Sequence, residues 1–103
     1  MLYQQGDVLM EKVEEVPEGA SEVQREGARL ILAEGEATGH AHAVTDTTAT
    51  LYAVDEVHYL DAPKGVTVKH EEHHQVKLPA GKWRIRKVKE YDHFAEEARE
   101  VRD

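Results

Sequence analysis

The residues of this chain that could carry chemistry are its histidines. Five of the seven fall in two short runs, Gly39-His40-Ala41-His42 and His70-Glu71-Glu72-His73-His74. Imidazole ligands suit zinc, iron(II), nickel, copper and cobalt, and a nitrogen-rich set argues against magnesium or calcium. The sequence contains no cysteine, which removes thiolate metal sites, disulfides and cysteine nucleophiles together. Any metal must therefore be held by imidazole and oxygen. The cofactor implied is a divalent transition metal, zinc first, with iron or nickel as alternatives.

Strand geometry explains why the spacing matters. Residues i and i+2 of a strand point to one face, so His40, His42 and the apolar Val44 share a side, and so do Val66, Val68 and His70. Two separate strands then aim imidazoles at apolar surroundings. Burying them is costly unless each nitrogen finds a partner, and one shared cation serves several at once. The expected ligands are His40, His42, His70 and one more. If the strand runs straight on from His70, His74 keeps its face; a bulge or turn at Glu71-Glu72 brings His73 round instead.

Glu36, Glu71 and Glu72 are the nearby carboxylates, each able to ligate, to accept from an imidazole N–H, or to act as a base. Glu36 and Glu72 are the candidate general bases, and Arg84 and Tyr91 the candidates to polarise a substrate oxygen. An open coordination position would make the site an enzyme's, for hydrolysis, hydration or oxygen chemistry on a small molecule. A closed site would make it a structural module. Metal-free acid–base catalysis by two histidines on an RNA phosphodiester is a third possibility. His58 and His93 join no cluster and read as ordinary structural residues.

The elements that must position these groups are mostly short strands. Candidates are Gly6 to Val13, Arg29 to Ala33, Ala41 to Thr45, Leu51 to Val54, Val57 to Leu60, Val66 to His70, Val76 to Leu78 and Lys82 to Tyr91. Turn residues separate them at Val16-Pro17-Glu18-Gly19, Ala62-Pro63-Lys64-Gly65 and Pro79-Ala80-Gly81. Trp83 and Ile85 share parity and belong to the core. Ala95, Ala98 and Val101 at helical spacing, after Asp92 as N-cap, predict a short C-terminal helix over 93–102. This pattern predicts one mainly β domain over 1–103, a small open barrel or double-layered antiparallel sheet.

A net charge of −8 repels nucleic-acid backbones, and Lys82, Arg84, Arg86, Lys87 and Lys89 form the one basic stripe against it. A nucleic-acid partner is disfavoured. No apolar run is long enough to span a membrane, and Met1 to Val8 lacks a secretory pattern, so a cytoplasmic protein is expected. Exposed edges on short strands allow a homodimer.

The His-x-His pair followed by a later histidine resembles the metal-binding pattern of cupins, small β-barrels that hold a metal inside. Cupins add a Glu shortly after the pair, where this chain offers only Asp46. They also precede the later His with a Pro-Gly turn, which Pro63-Lys64-Gly65 meets loosely. More of the chain resembles a group of small uncharacterised bacterial and phage proteins. That likeness rests on Gln5-Gly6-Asp7-Val8, Gly35-Glu36-Ala37-Thr38-Gly39-His40-Ala41-His42, His70-Glu71-Glu72-His73, Leu78-Pro79-Ala80-Gly81 and Glu90-Tyr91-Asp92. It implies His73 over His74 and brings no substrate.

Overall fold

Alternating apolar residues and tight turns fold this chain into antiparallel strands. The computed structural model describes residues 1–35 and 39–87. Strand β1 (Leu2–Gln5) turns at Gly6 and Asp7 into β2 (Val8–Val13), with Gln5 opposite Val8. Gly6 has φ 59°, the left-handed conformation that the first central residue of a two-residue hairpin turn of type II′ requires. The strand expected from Gly6 to Val13 is thus the second arm of a hairpin. The two-residue β3 (Ser21–Glu22) follows, then β4 (Leu30–Glu34), β5 (Ala41–Val44), β6 (Thr50–Val54) and β7 (Val57–Ala62). The acidic pair Asp55-Glu56 makes the β6–β7 turn with φ 51° and 66°. Strands β8 (Val66–Val68), β9 (Val76–Leu78) and β10 (Gly81–Lys87) complete the described chain.

Six strands form one sheet in the order β1-β2-β10-β7-β6-β3, while β4-β5 and β8-β9 form two-stranded sheets. All the strand pairs are antiparallel. The core draws on all three sheets, with Met10, Leu51, Leu60 and Trp83 from the large one, Leu32 and Val44 from β4-β5, and Val68 and Leu78 from β8-β9. Trp83 and Ile85 are buried as their parity predicts.

The mainly β reading holds, but among the described residues the sheets do not close into a barrel. Closure needs a continuous ladder around the ring, and here β3 ends one side after two residues while β4-β5 carries a register shift between Ile31 and Ala33. The expected C-terminal helix, with Tyr91 and His93, lies outside the described residues, as does Glu36. Among the described residues no helix is long and apolar enough to cross a membrane.

Candidate metal centre

Three connections meet at one end of the small sheets. The first joins β4 to β5, where the Gly35 N–H donates to the His40 carbonyl at 2.8 Å and closes the hairpin just before His42. The second follows β8. There Lys69 and Ala43 exchange two backbone hydrogen bonds of 2.8 and 3.0 Å, which dock the His70–His74 segment against β5. The third is the Gly6-Asp7 turn.

Together they enclose a cavity of about 270 Å³ lined by His40, His42, His70 and His73. Asp7, Glu72 and the two glycines Gly6 and Gly35 complete its wall. His70 is the hub. Its ring lies 4.4 Å from that of His42, 4.6 Å from His73 and 5.6 Å from His40, centroid to centroid, and His42 and His73 are 6.0 Å apart. Imidazoles sharing one ion at metal–nitrogen bonds of roughly 2.0–2.1 Å have centroids about 5 Å apart, so the separations bracket that value. Ligand-capable atoms of His40, His70 and Glu71 also fall within 4.8 Å of one another.

His42 is 1 % exposed and its tautomer is set by Gln5. The Gln5 amide nitrogen donates to the carbonyls of Val68 at 3.0 Å and His74 at 2.9 Å, which uses both its protons. Its oxygen therefore accepts from His42 Nδ1–H at 2.8 Å. The Nε2 lone pair is left facing the cavity, 3.7 Å from Asp7 Oδ1. Burial first, then the neighbouring His70, lowers the His42 pKa to about 4, so at neutral pH the ring is uncharged, the form a metal binds.

The remaining groups divide by role. His40 Nδ1 is buried and makes no hydrogen bond among the described residues, with Glu72 Oε2 at 3.7 Å. His70 Nδ1 accepts the Glu72 N–H at 3.0 Å, so neutral His70 carries its proton on Nε2, the reverse of His42. Glu71 ties the two histidine runs together, since its Oε1 accepts the Ala41 N–H at 3.0 Å. That bond, and then its own N–H, hold its carboxyl below the usual range.

Of the residues singled out in sequence, His74 is exposed and does not line the cavity; only its carbonyl takes part, through Gln5. His58 Nδ1 is bonded to the Leu32 carbonyl at 2.9 Å. Arg84 does not reach the site. The parity that buries Trp83 and Ile85 turns it to the opposite face of β10, where it pairs with Glu11. Gln5, Asp7, Gly6 and Gly35 went unrecognised. The signal for the first three was Gln5-Gly6-Asp7, whose Gly6 and Asp7 form a turn where the spacing predicts a strand, and Gly35 shows only as a turn-forming glycine before the first histidine run.

A family model described as a domain of unknown function, DUF8820, matches residues 4–88. The chain belongs to the DUF8820 family. The match spans Gln5, the Gly6-Asp7 turn and both histidine runs, so every group of the cavity lies within it. No curated protein and no solved structure matches the chain.

Proposed function

We propose that this protein binds one divalent transition metal, zinc in the first place, through His40, His42, His70 and His73, and uses it as an enzyme. The observation that carries this reading is the convergence of four imidazoles from two distant segments on one cavity, with His70 against the other three. Two details support it. Among the described residues the buried His40 Nδ1 lacks a hydrogen bond, and a buried nitrogen without a partner is costly until something occupies its lone pair. His42 is neutral with Nε2 turned inward. His70 joins the set by releasing the Glu72 amide, either to ligate through Nδ1 itself or to carry its proton there and ligate through Nε2.

A cavity of about 270 Å³ exceeds what an ion alone fills, which favours an open coordination position over a closed structural site. Bound zinc supplies a water acidified to a pKa of about 7. Glu72, exposed at the rim beside His40, is the residue able to take a proton from it. The deciding measurement is elemental analysis of purified protein beside His42→Ala. Near-stoichiometric zinc, iron or nickel in the first and little in the second is expected; a metal-free native protein that takes up none on titration refutes the reading. Azide or cyanide perturbs the spectrum of a cobalt-substituted open site and leaves a closed one unchanged.

One observation favours a second reading. His42 offers a lone pair beside His70, with rings 4.4 Å apart, so His42 would act as general base and a protonated His70, released from the Glu72 N–H, as general acid without metal. RNA cleavage that survives exhaustive chelation would promote it.

A further inference from the structure

On the other face of β5 lies a second cavity, of about 280 Å³. Strand alternation separates the two: His42 lines the first and Val44 enters the core, while Ala41, Ala43 and Thr45 line the second. Ala41 and Ala43 are each only 4 % exposed yet are not part of the core cluster. They form the apolar floor of the groove. His70 lines both cavities and so stands where they meet.

Strand register gives the groove a direction. Leu30 pairs with Val44, so Arg29, one residue earlier, stands beside Thr45. Lys69 pairs with Ala43, and the Glu71 carboxylate holds the Ala41 N–H. Two cations therefore stand at the Thr45–Ala43 end and His70 with Glu71 at the Ala41 end, a span of about 13 Å at roughly 3.3 Å per residue. Among the described residues neither the Arg29 nor the Lys69 side chain has a hydrogen-bond or ion-pair partner. In a chain of net charge −8, two unpaired cations over an apolar floor favour an anion with an apolar body.

The geometry points to a small organic acid as the ligand of this groove: its carboxylate sits between Arg29 and Lys69, its aliphatic stem lies on Ala41 and Ala43, and its far end reaches His70. Glu71 fixes the polarity, because its own carboxylate repels an anion from the Ala41 end. Such an acid is presented tail-first to the histidine cavity. As a substrate class this rests on the metal reading, whereas as a binding site it does not.

The test titrates acetate, butanoate, hexanoate and octanoate into metal-free, nitrogen-15-labelled protein and follows the amides of Ala41, Ala43, Thr45 and Lys69. Saturable shifts are expected, with affinity rising along the series and inorganic phosphate binding more weakly than hexanoate. Arg29→Gln and Lys69→Gln each weaken hexanoate by about tenfold, the worth of one charge-assisted hydrogen bond. The inference is overturned if these amides stay still at tens of millimolar acid, if both charge variants bind hexanoate as the native protein does, or if phosphate matches hexanoate. Zinc titration of the same proteins separates the two claims. Zinc bound with no acid defeats this inference alone, and acid bound with no zinc defeats the metal reading alone.

Discussion

Gln5 and His42, from β1 and β5, share a 2.8 Å hydrogen bond between two fully buried side chains. The bond fixes which nitrogen of His42 faces the cavity, and Gln5 is itself fixed by the two carbonyls it donates to. Gln5→Leu keeps most of the volume and leaves three polar groups unpaired. It should cost about 2–4 kcal/mol in urea unfolding and weaken zinc about 10–100-fold, read by calorimetric titration. Unchanged stability and affinity would remove Gln5 from this role.

The pKa of His42 ties stability to pH. In the folded protein the ring takes its proton near pH 4, against an ordinary value of 6.5, so between these values the unfolded chain binds more protons. The stability this contributes is fully present above about pH 6.5 and is lost as pH falls to about 4, roughly 3 kcal/mol in all. Urea midpoints of metal-free protein should fall over that window, and His42→Gln should flatten the dependence. A native curve level from pH 7 to 4 would contradict the assignment. Zinc should stabilise the protein most above the window, where it does not compete with the proton.

His73 and His74 are neighbours with opposite fates. The His73 ring stacks 6.0 Å from His42, whereas His74 is exposed and contributes its carbonyl to Gln5. His73→Ala should lower zinc affinity by about tenfold or more, and His74→Ala, which keeps the carbonyl, should leave it nearly unchanged. Equal losses in both variants would show that the loop rearranges on binding metal.

Much of this was legible because strands alternate. Parity placed His42 with Val44 and buried Trp83, whereas His70 lies past the end of β8 and reaches the cavity from the loop. The choice between His73 and His74 was open, since it depends on whether the strand continues past His70; in the structure β8 ends at Val68 and Glu71 pins the following loop to Ala41. Arg84 was misjudged because parity gives the face but not the distance from a site. Gln5 was invisible for a different reason: its partners lie 37, 63 and 69 residues away, and no local pattern encodes that. The barrel failed on edges, because strand count alone does not say whether the last pairs with the first.

Gly35 and Gly39 flank the first histidine run and separate two reasons for glycine. At Gly39 the backbone has φ 85° and a Cβ would meet nothing within 4 Å, so Gly39→Ala brings backbone strain without a clash. At Gly35 the φ lies outside the left-handed region, yet a Cβ would stand 2.9 Å from both His70 Nε2 and His40 Cβ. Gly35→Ala therefore fills space that the imidazoles occupy. Gly39→Ala should lose about 1 kcal/mol of stability and keep its zinc affinity. Gly35→Ala should lose about 1–3 kcal/mol by overpacking and also weaken zinc, because His40 and His70 must move apart to admit the methyl group. Parallel urea and zinc titrations on the two variants decide it; a Gly35→Ala protein that binds zinc as tightly as the native one would mean that His70 does not meet the ion from this position.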